Sequence, residues 1–150
     1  MEKEFKVYHE NEMIEFGAKI GALLSENMVI ALSGDLGAGK TTLTKGIGKA
    51  LEVKTVVNSP TFTILKIHQG KMPLYHMDVY RIDENSGDDY LEEYFEGGGV
   101  SVVEWAENIN YLLPKDYLKI DIKNLGDNIR MLKLSTDSPQ YIEIIERLKI

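Results

Sequence analysis

Gly34-Asp35-Leu36-Gly37-Ala38-Gly39-Lys40-Thr41 is the stretch on which the reading of this chain turns. Four residues separate its first glycine from Gly39-Lys40-Thr41, which is the Walker A spacing. The residue types answer to one chemistry. Glycines let the backbone bend until successive N–H groups converge on phosphate oxygens. A helix that begins there turns the positive end of its dipole toward the same anion. Lys40 extends the cradle to the β- and γ-phosphates, and the Thr41 hydroxyl is a magnesium ligand. The bland alternative is a chance glycine-rich turn, which composition alone would produce in roughly 1% of such chains. The flanks decide against it. Met28-Val29-Ile30-Ala31-Leu32 is a short apolar run of the kind buried on both faces of a sheet. Residues 41–51 then show helical periodicity through Leu43, Ile47, Ala50 and Leu51.

Outward from this core, residues 4–9 read as a first strand with Phe5 and Val7 alternating against charge. An amphipathic helix is expected over 12–24, with Ile14, Gly17, Ala18, Gly21 and Leu24 on one stripe. After the second helix the pattern turns to strands at 64–68, 74–78, 100–104, 117–122 and 130–135, punctuated by Gly70, Gly97-Gly98-Gly99 and Gly126. A short helix is expected over 90–95, and a closing helix over 139–148 with Ile142, Ile145 and Leu148 inward. This order predicts an α/β fold, a mixed sheet flanked by helices rather than a purely parallel one. With 150 residues and no linker, one domain over 1–150 is expected.

Composition narrows the function. The absence of cysteine excludes disulfides, thiolate catalysis and cysteine-ligated zinc or iron–sulfur. Apolar runs stop far short of the roughly 20 residues a spanning helix needs. Met1-Glu2-Lys3-Glu4 leads into no apolar segment, so neither a secretory signal nor membrane attachment is expected, and a cytoplasmic protein fits best. A net charge of −7, without a Lys/Arg cluster, argues against direct nucleic-acid binding, which draws its affinity from phosphate neutralisation.

Three further constellations bear on a nucleotide. Val100-Ser101-Val102-Val103-Glu104 is an apolar strand ending in a carboxylate, a Walker B arrangement with Glu104 one methylene longer than the usual Asp. In His76-Met77-Asp78-Val79-Tyr80-Arg81, period two puts His76, Asp78 and Tyr80 on one face. Asp78 is then a candidate for magnesium or for general base, while His76 reads as a hydrogen-bonded structural histidine. Asn58-Ser59-Pro60-Thr61-Phe62-Thr63 offers Thr61 in the manner of a switch loop, or is an ordinary proline turn. Arginines are few, Arg81, Arg130 and Arg147, and without an arginine at the γ-phosphate hydrolysis should be slow, since that contact is worth about 10³–10⁵ in rate.

Taken together, the phosphate loop with Thr42, Ser59-Pro60-Thr61-Phe62, His76-Met77-Asp78-Val79-Tyr80-Arg81 and Val103-Glu104-Trp105 resemble the TsaE (YjeE) family in order and at compatible spacing. That family is the ATPase subunit of the bacterial machinery that places threonylcarbamoyl on adenosine of tRNA. The resemblance implies a three-layer P-loop NTPase-like domain. It also implies ATP or ADP bound through Gly37, Ala38, Gly39, Lys40, Thr41 and Thr42, Mg²⁺ held by Thr41 and Glu104, and Asp78 required for activity. Other parts of the nucleotide are implied near Arg130 and near His9-Glu10-Asn11, with Glu10 the residue taken from that segment. The implied partners are a TsaD-type transferase and a TsaB-type companion, with tRNA met only through the complex. Two departures stand out: Ala106 replaces the proline that often follows Glu-Trp, and the acidic segment 83–89 replaces a more regular Leu-rich helix start.

The rivals are weaker. A GTPase-type switch lacks any Asn-Lys-x-Asp guanine reader, a small-molecule kinase would use more arginines, and a catalytically dead nucleotide-binding module remains a third reading. Lys40 is expected to face solvent in the empty protein, so that Lys40→Ala should abolish nucleotide binding without unfolding.

Overall fold

A computed structural model describes residues 1–35, 37–58, 64–83 and 85–149. The elements are β1 (Glu2–Val7), α1 (Glu10–Gly21), β2 (Val29–Gly34), α2 (Lys40–Ala50), β3 (Leu65–His68), β4 (Leu74–Asp78), β5 (Val100–Glu104), β6 (Leu118–Gly126), β7 (Ile129–Ser135) and α3 (Pro139–Arg147). Short 3-10 helices at Asp89–Glu96 and Ala106–Ile109 flank β5. Among the described residues the strands form one sheet ordered β1-β7-β6-β2-β5-β4-β3. β2 runs parallel to both β5 and β6, and β4 parallel to β5. The pairs β1–β7, β6–β7 and β3–β4 are antiparallel. The mixed sheet expected from the element order is the one observed.

β2 lies in the middle, which explains why its sequence is apolar throughout. Ile30 and Leu32 pack on one face with Phe16 and Ile20 of α1, Leu43 and Ile47 of α2, and Tyr141, Ile144 and Ile145 of α3. Val29 and Ala31 pack on the other with Met77, Leu91, Phe95, Val103 and Ile109. Burying one such large side chain is worth about 1.5–3 kcal/mol, so a polar residue at any of these positions would be expensive.

Two helices differ from their expected faces. α1 runs from Glu10 to Gly21 rather than over 12–24, and it buries Met13, Phe16 and Ile20, which the expected stripe left out, while Ile14 and Ala18 of that stripe are only half-buried. Met13, Phe16 and Ile20 enter the core, whereas Gly17 and Gly21 face α2. A Cβ added at Gly46 would stand 2.9 Å from the Gly17 Cα and 2.9 Å from the Ala18 nitrogen. The glycines therefore bring two helix backbones into contact, a use that periodicity alone does not reveal. In α3 the inward set is Tyr141, Ile144, Ile145 and Leu148, with Ile142 only half-buried. Ile145 and Leu148 face inward as expected, and the i, i+3, i+4 and i+7 positions centre the buried face so that Ile142 falls at its margin.

At the other end of the sheet, β6 and β7 join through Asp127 and Asn128, with φ of 52° and 66°. Two residues with positive φ make the type I′ hairpin that suits strand twist. This turn sets Asn128 and Arg130 beside the glycine-rich loop. Among the described residues, no helix is long and apolar enough to cross a membrane.

Candidate functional site

Three of the four parallel strands, β2, β4 and β5, carry the site at their C-terminal ends, where ligands of open α/β sheets bind. Register places Leu32 beside Glu104 and Glu104 beside Asp78. Both acids thus meet the loop that leaves β2. In that loop Gly37 and Gly39 have φ of 77° and 113°, in the left-handed region that favours glycine. Gly39 is the N-cap of α2 and caps it with no side chain. The first-turn amides at Lys40, Thr41 and Thr42 therefore have no intrahelical acceptor, which is the makeup of an anion site.

Lys40 does not face solvent. Its side chain is buried, and Nζ donates to the Gly34 carbonyl at 2.5 Å and to the Asp35 carbonyl at 2.9 Å. The same ammonium lies 4.1 Å from the centroid of the Trp105 ring. An ammonium withdrawn from water must replace its hydration with acceptors, and the carbonyls of its own loop and an aromatic face supply them. Burial lowers the Lys40 pKa, against the opposing charges of Glu104, Glu107, Asp78 and Asp35. Trp105 itself has φ of 63°, donates its N–H to the Leu32 carbonyl, and sets its ring 4.8 Å from that of Tyr80.

The Thr41 hydroxyl donates to the Glu104 carboxylate at 3.0 Å. Glu104 is buried, and its Oε2 also stands 2.5 Å from His76 Nε2. Asp78 accepts the Tyr80 N–H. Gly37, Gly39, Lys40, Thr41, Thr42, Asp78, Glu104 and Trp105 line one cleft of about 280 Å³. Its oxygen donors suit a hard divalent cation, because a hydroxyl that donates its hydrogen to a carboxylate keeps its lone pairs for metal. Among the described residues no three His, Cys, Asp or Glu side chains gather into a metal cluster.

A second cleft of about 190 Å³ continues past Gly37, Gly39 and Thr42 and is lined also by His9, Glu10, Met13, Asn128 and Arg130. Arg130 Nε donates to the Ala38 carbonyl at 3.0 Å, and Nη1 to Asn124 Oδ1 at 2.9 Å, tying the β6–β7 hairpin to the loop. The chain ends of α1 and the hairpin are far apart in sequence, yet both border the phosphate loop. Arg81 is exposed and lines neither cleft, and Arg147 pairs with Glu143 on the surface.

A strand–loop–helix with paired acids at the sheet edge is common to many nucleotide-binding proteins; likeness to known chains separates them. The model of the family described as "Threonylcarbamoyl adenosine biosynthesis protein TsaE" matches residues 7–132. The chain belongs to the TsaE family. It is 50% identical over 121 residues to the tRNA threonylcarbamoyladenosine biosynthesis protein TsaE of Bacillus subtilis, covering 80% of this chain and 77% of that one. With the protein of the same description from Treponema pallidum it shares 38% identity over 122 residues, covering 80% and 90%. The crystal structure of Bacillus subtilis YdiB superposes with a TM-score of 0.85 at 37% identity, covering 97% of this chain and 93% of that one. The fold is that of the P-loop NTPases.

Within this TsaE-family chain, the structure brings together Gly37, Gly39, Lys40, Thr41, Thr42, Asp78 and Glu104, and in the adjoining cleft Glu10 and Arg130. Ala38 is buried and meets the site through its carbonyl. Ser59-Pro60-Thr61-Phe62-Thr63 lies outside the described residues. Sequence reasoning missed Met13 and Asn128. Gly126-Asp127-Asn128 was a readable hairpin signal two residues before Arg130. His76 is the buried, hydrogen-bonded histidine that was expected, and its partner is Glu104. Ala106, in place of the family's frequent proline, is buried and opens the 3-10 helix after Trp105.

Proposed function

We propose that this chain is a single P-loop ATPase domain that binds Mg–ATP and hydrolyses it slowly in support of threonylcarbamoylation of tRNA adenosine, the transfer being performed by TsaD-type and TsaB-type partners. The observation that carries the nucleotide part is the meeting of three features in one cleft: unpaired first-turn amides of α2, the Lys40 ammonium, and Thr41 hydrogen-bonded to Glu104. The family relationship supports the tRNA role.

In this reading the loop amides and Lys40 take the phosphate oxygens, Lys40 leaving Gly34 and Asp35 to do so. Thr41 and Glu104 hold magnesium, with Asp78 completing the set beside them. Magnesium, when bound, offsets negative charge on the phosphates and the departing oxygen. Asp78, beside Glu104 on the neighbouring strand and lining the same cleft, is assigned the orientation of the attacking water. Arg130, tethered to the loop carbonyl of Ala38, and Glu10 border the part of the nucleotide beyond the phosphates. With Arg81 away from the cleft, the purified chain should turn over slowly and depend on partners for rate.

The test has two arms. Calorimetry with ATP and with GTP, each with magnesium, should show preference for ATP; tighter binding of GTP refutes the adenine assignment. Capture from bacterial extract with and without ATP should return a nucleotide-dependent pair of companion subunits. Capture of nothing that responds to ATP overturns the partner role while leaving the binding result standing.

A further inference from the structure

Behind the acid of the phosphate cleft sits a histidine that packing alone does not explain. His76 is fully buried on β4, with Nε2 2.5 Å from Oε2 of Glu104, which is 3% exposed. Asp78 pairs with Glu104 and His76 with Val102, so His76 and Glu104 lie diagonally on one face of neighbouring parallel strands. An ionised carboxylate only accepts hydrogen bonds, so the hydrogen of this contact rides on Nε2. The other ring nitrogen, Nδ1, is buried with no hydrogen-bond partner among the described residues. Leaving a buried polar atom in that state costs about 1–3 kcal/mol. A leucine or methionine, like Leu74 and Met77 on the same strand, would avoid it.

Glu104 has one more rotatable bond than the aspartate usual at such a strand end. It gains the reach to meet Thr41 from β5 and loses rigidity in doing so. We propose that His76 is a positioning residue that removes this freedom: by donating from Nε2 to Oε2 it holds the Glu104 carboxylate against the Thr41 hydroxyl, ready to take a divalent cation. The proposal rests on the reading of the cleft as a magnesium–nucleotide site. Partners of this kind behind a metal ligand typically set affinity by 10–100-fold.

The experiment follows fluorescence of N-methylanthraniloyl-ADP, first in EDTA and then along a MgCl₂ titration, for the unmodified protein and three variants. His76→Leu should leave binding in EDTA unchanged and raise the magnesium needed for half-maximal tightening about 10–100-fold. His76→Gln, whose amide nitrogen reaches the place of Nε2, should restore the unmodified titration to within a few-fold. His76→Asn reaches only the place of Nδ1 and should behave as the leucine variant does; it carries the test if His76→Leu fails to fold. If the unmodified protein binds the nucleotide without regard to magnesium, the reading of the site itself falls. If that protein responds but the leucine and asparagine variants respond identically to it, the role of His76 alone is overturned. Equal loss of binding in EDTA across all three variants would also overturn it, since a packing defect does not distinguish the metal from the nucleotide.

Discussion

Replacing Gly46 by alanine tests the close approach of α1 and α2, and through it the second cleft. A Cβ at this position would stand 2.9 Å from both the Ala18 nitrogen and the Gly17 Cα, and closer still to the Ile14 carbonyl oxygen. All three obstacles are backbone, which cannot rotate aside. Overpacking of this kind costs about 1–3 kcal/mol, and the rigid neighbours put it at the upper end. Against that stands a gain of up to about 1 kcal/mol from replacing a mid-helix glycine with alanine. The net loss is therefore about 2 kcal/mol, or roughly 4–8 °C in melting temperature for a chain of this size. Gly48→Ala, on the same helix, is the control. There a Cβ meets only side-chain atoms, Val57 Cγ2 at 3.2 Å and Leu74 Cδ2 at 3.5 Å, so propensity and crowding should nearly cancel. Moving α1 away from α2 also moves Glu10 and Met13 from Gly37, Gly39 and Thr42 across the cleft, so nucleotide affinity should fall with stability only in the Gly46 variant. Thermal melts by circular dichroism and a nucleotide titration read both. A Gly46→Ala protein that melts within about 2 °C of the unmodified chain, or above Gly48→Ala, refutes the backbone contact.

Lys40→Met removes the buried ammonium but keeps an apolar stem under Trp105. Nucleotide binding should weaken roughly 10–100-fold, the loss of a charge-assisted contact, while the empty protein stays folded; calorimetry showing unchanged affinity would contradict the cradle. Trp105 is the sole tryptophan, and its ring carries the Lys40 ammonium in the empty protein. Its emission should therefore change when nucleotide draws the ammonium away, and a Lys40→Met protein giving the same change would exclude that cause. His68 is buried against Thr55, with Nδ1 2.6 Å from the hydroxyl, and burial, followed by the nearby His76 and Lys66, lowers its pKa below 6.5. The unfolded chain then binds a proton that the folded chain resists, so stability is intact above 6.5 and falls as pH drops below it. Chemical denaturation across pH 5–7 should show a slope that His68→Asn flattens, and equal slopes would remove His68 as its source.

The phosphate loop was legible because its chemistry is local. Eight consecutive residues carry the amides, the lysine and the hydroxyl, and the flanking strand and helix announce themselves by a buried apolar run and a 3.6-residue period. β4 and β5 were legible to the residue for the same reason, since a buried strand of five residues ends abruptly at a charged one. The twofold use of α1 was not. Periodicity records which positions are apolar or small, but not whether a glycine packs on a sheet or lets another helix come near.

What sequence alone determined, then, was the local set of groups proposed to take phosphate and metal, together with the alternation of elements that makes an α/β sheet. Tertiary structure decided which distant groups join them. Pairing of β4 with β5 set Asp78 and His76 beside Glu104, and the β6–β7 hairpin carried Arg130 to the loop across 92 residues of chain. It also decided where Lys40 rests, because the placement of a cation among acceptors depends on every atom that excludes water from it, and those atoms come from the whole length of the molecule.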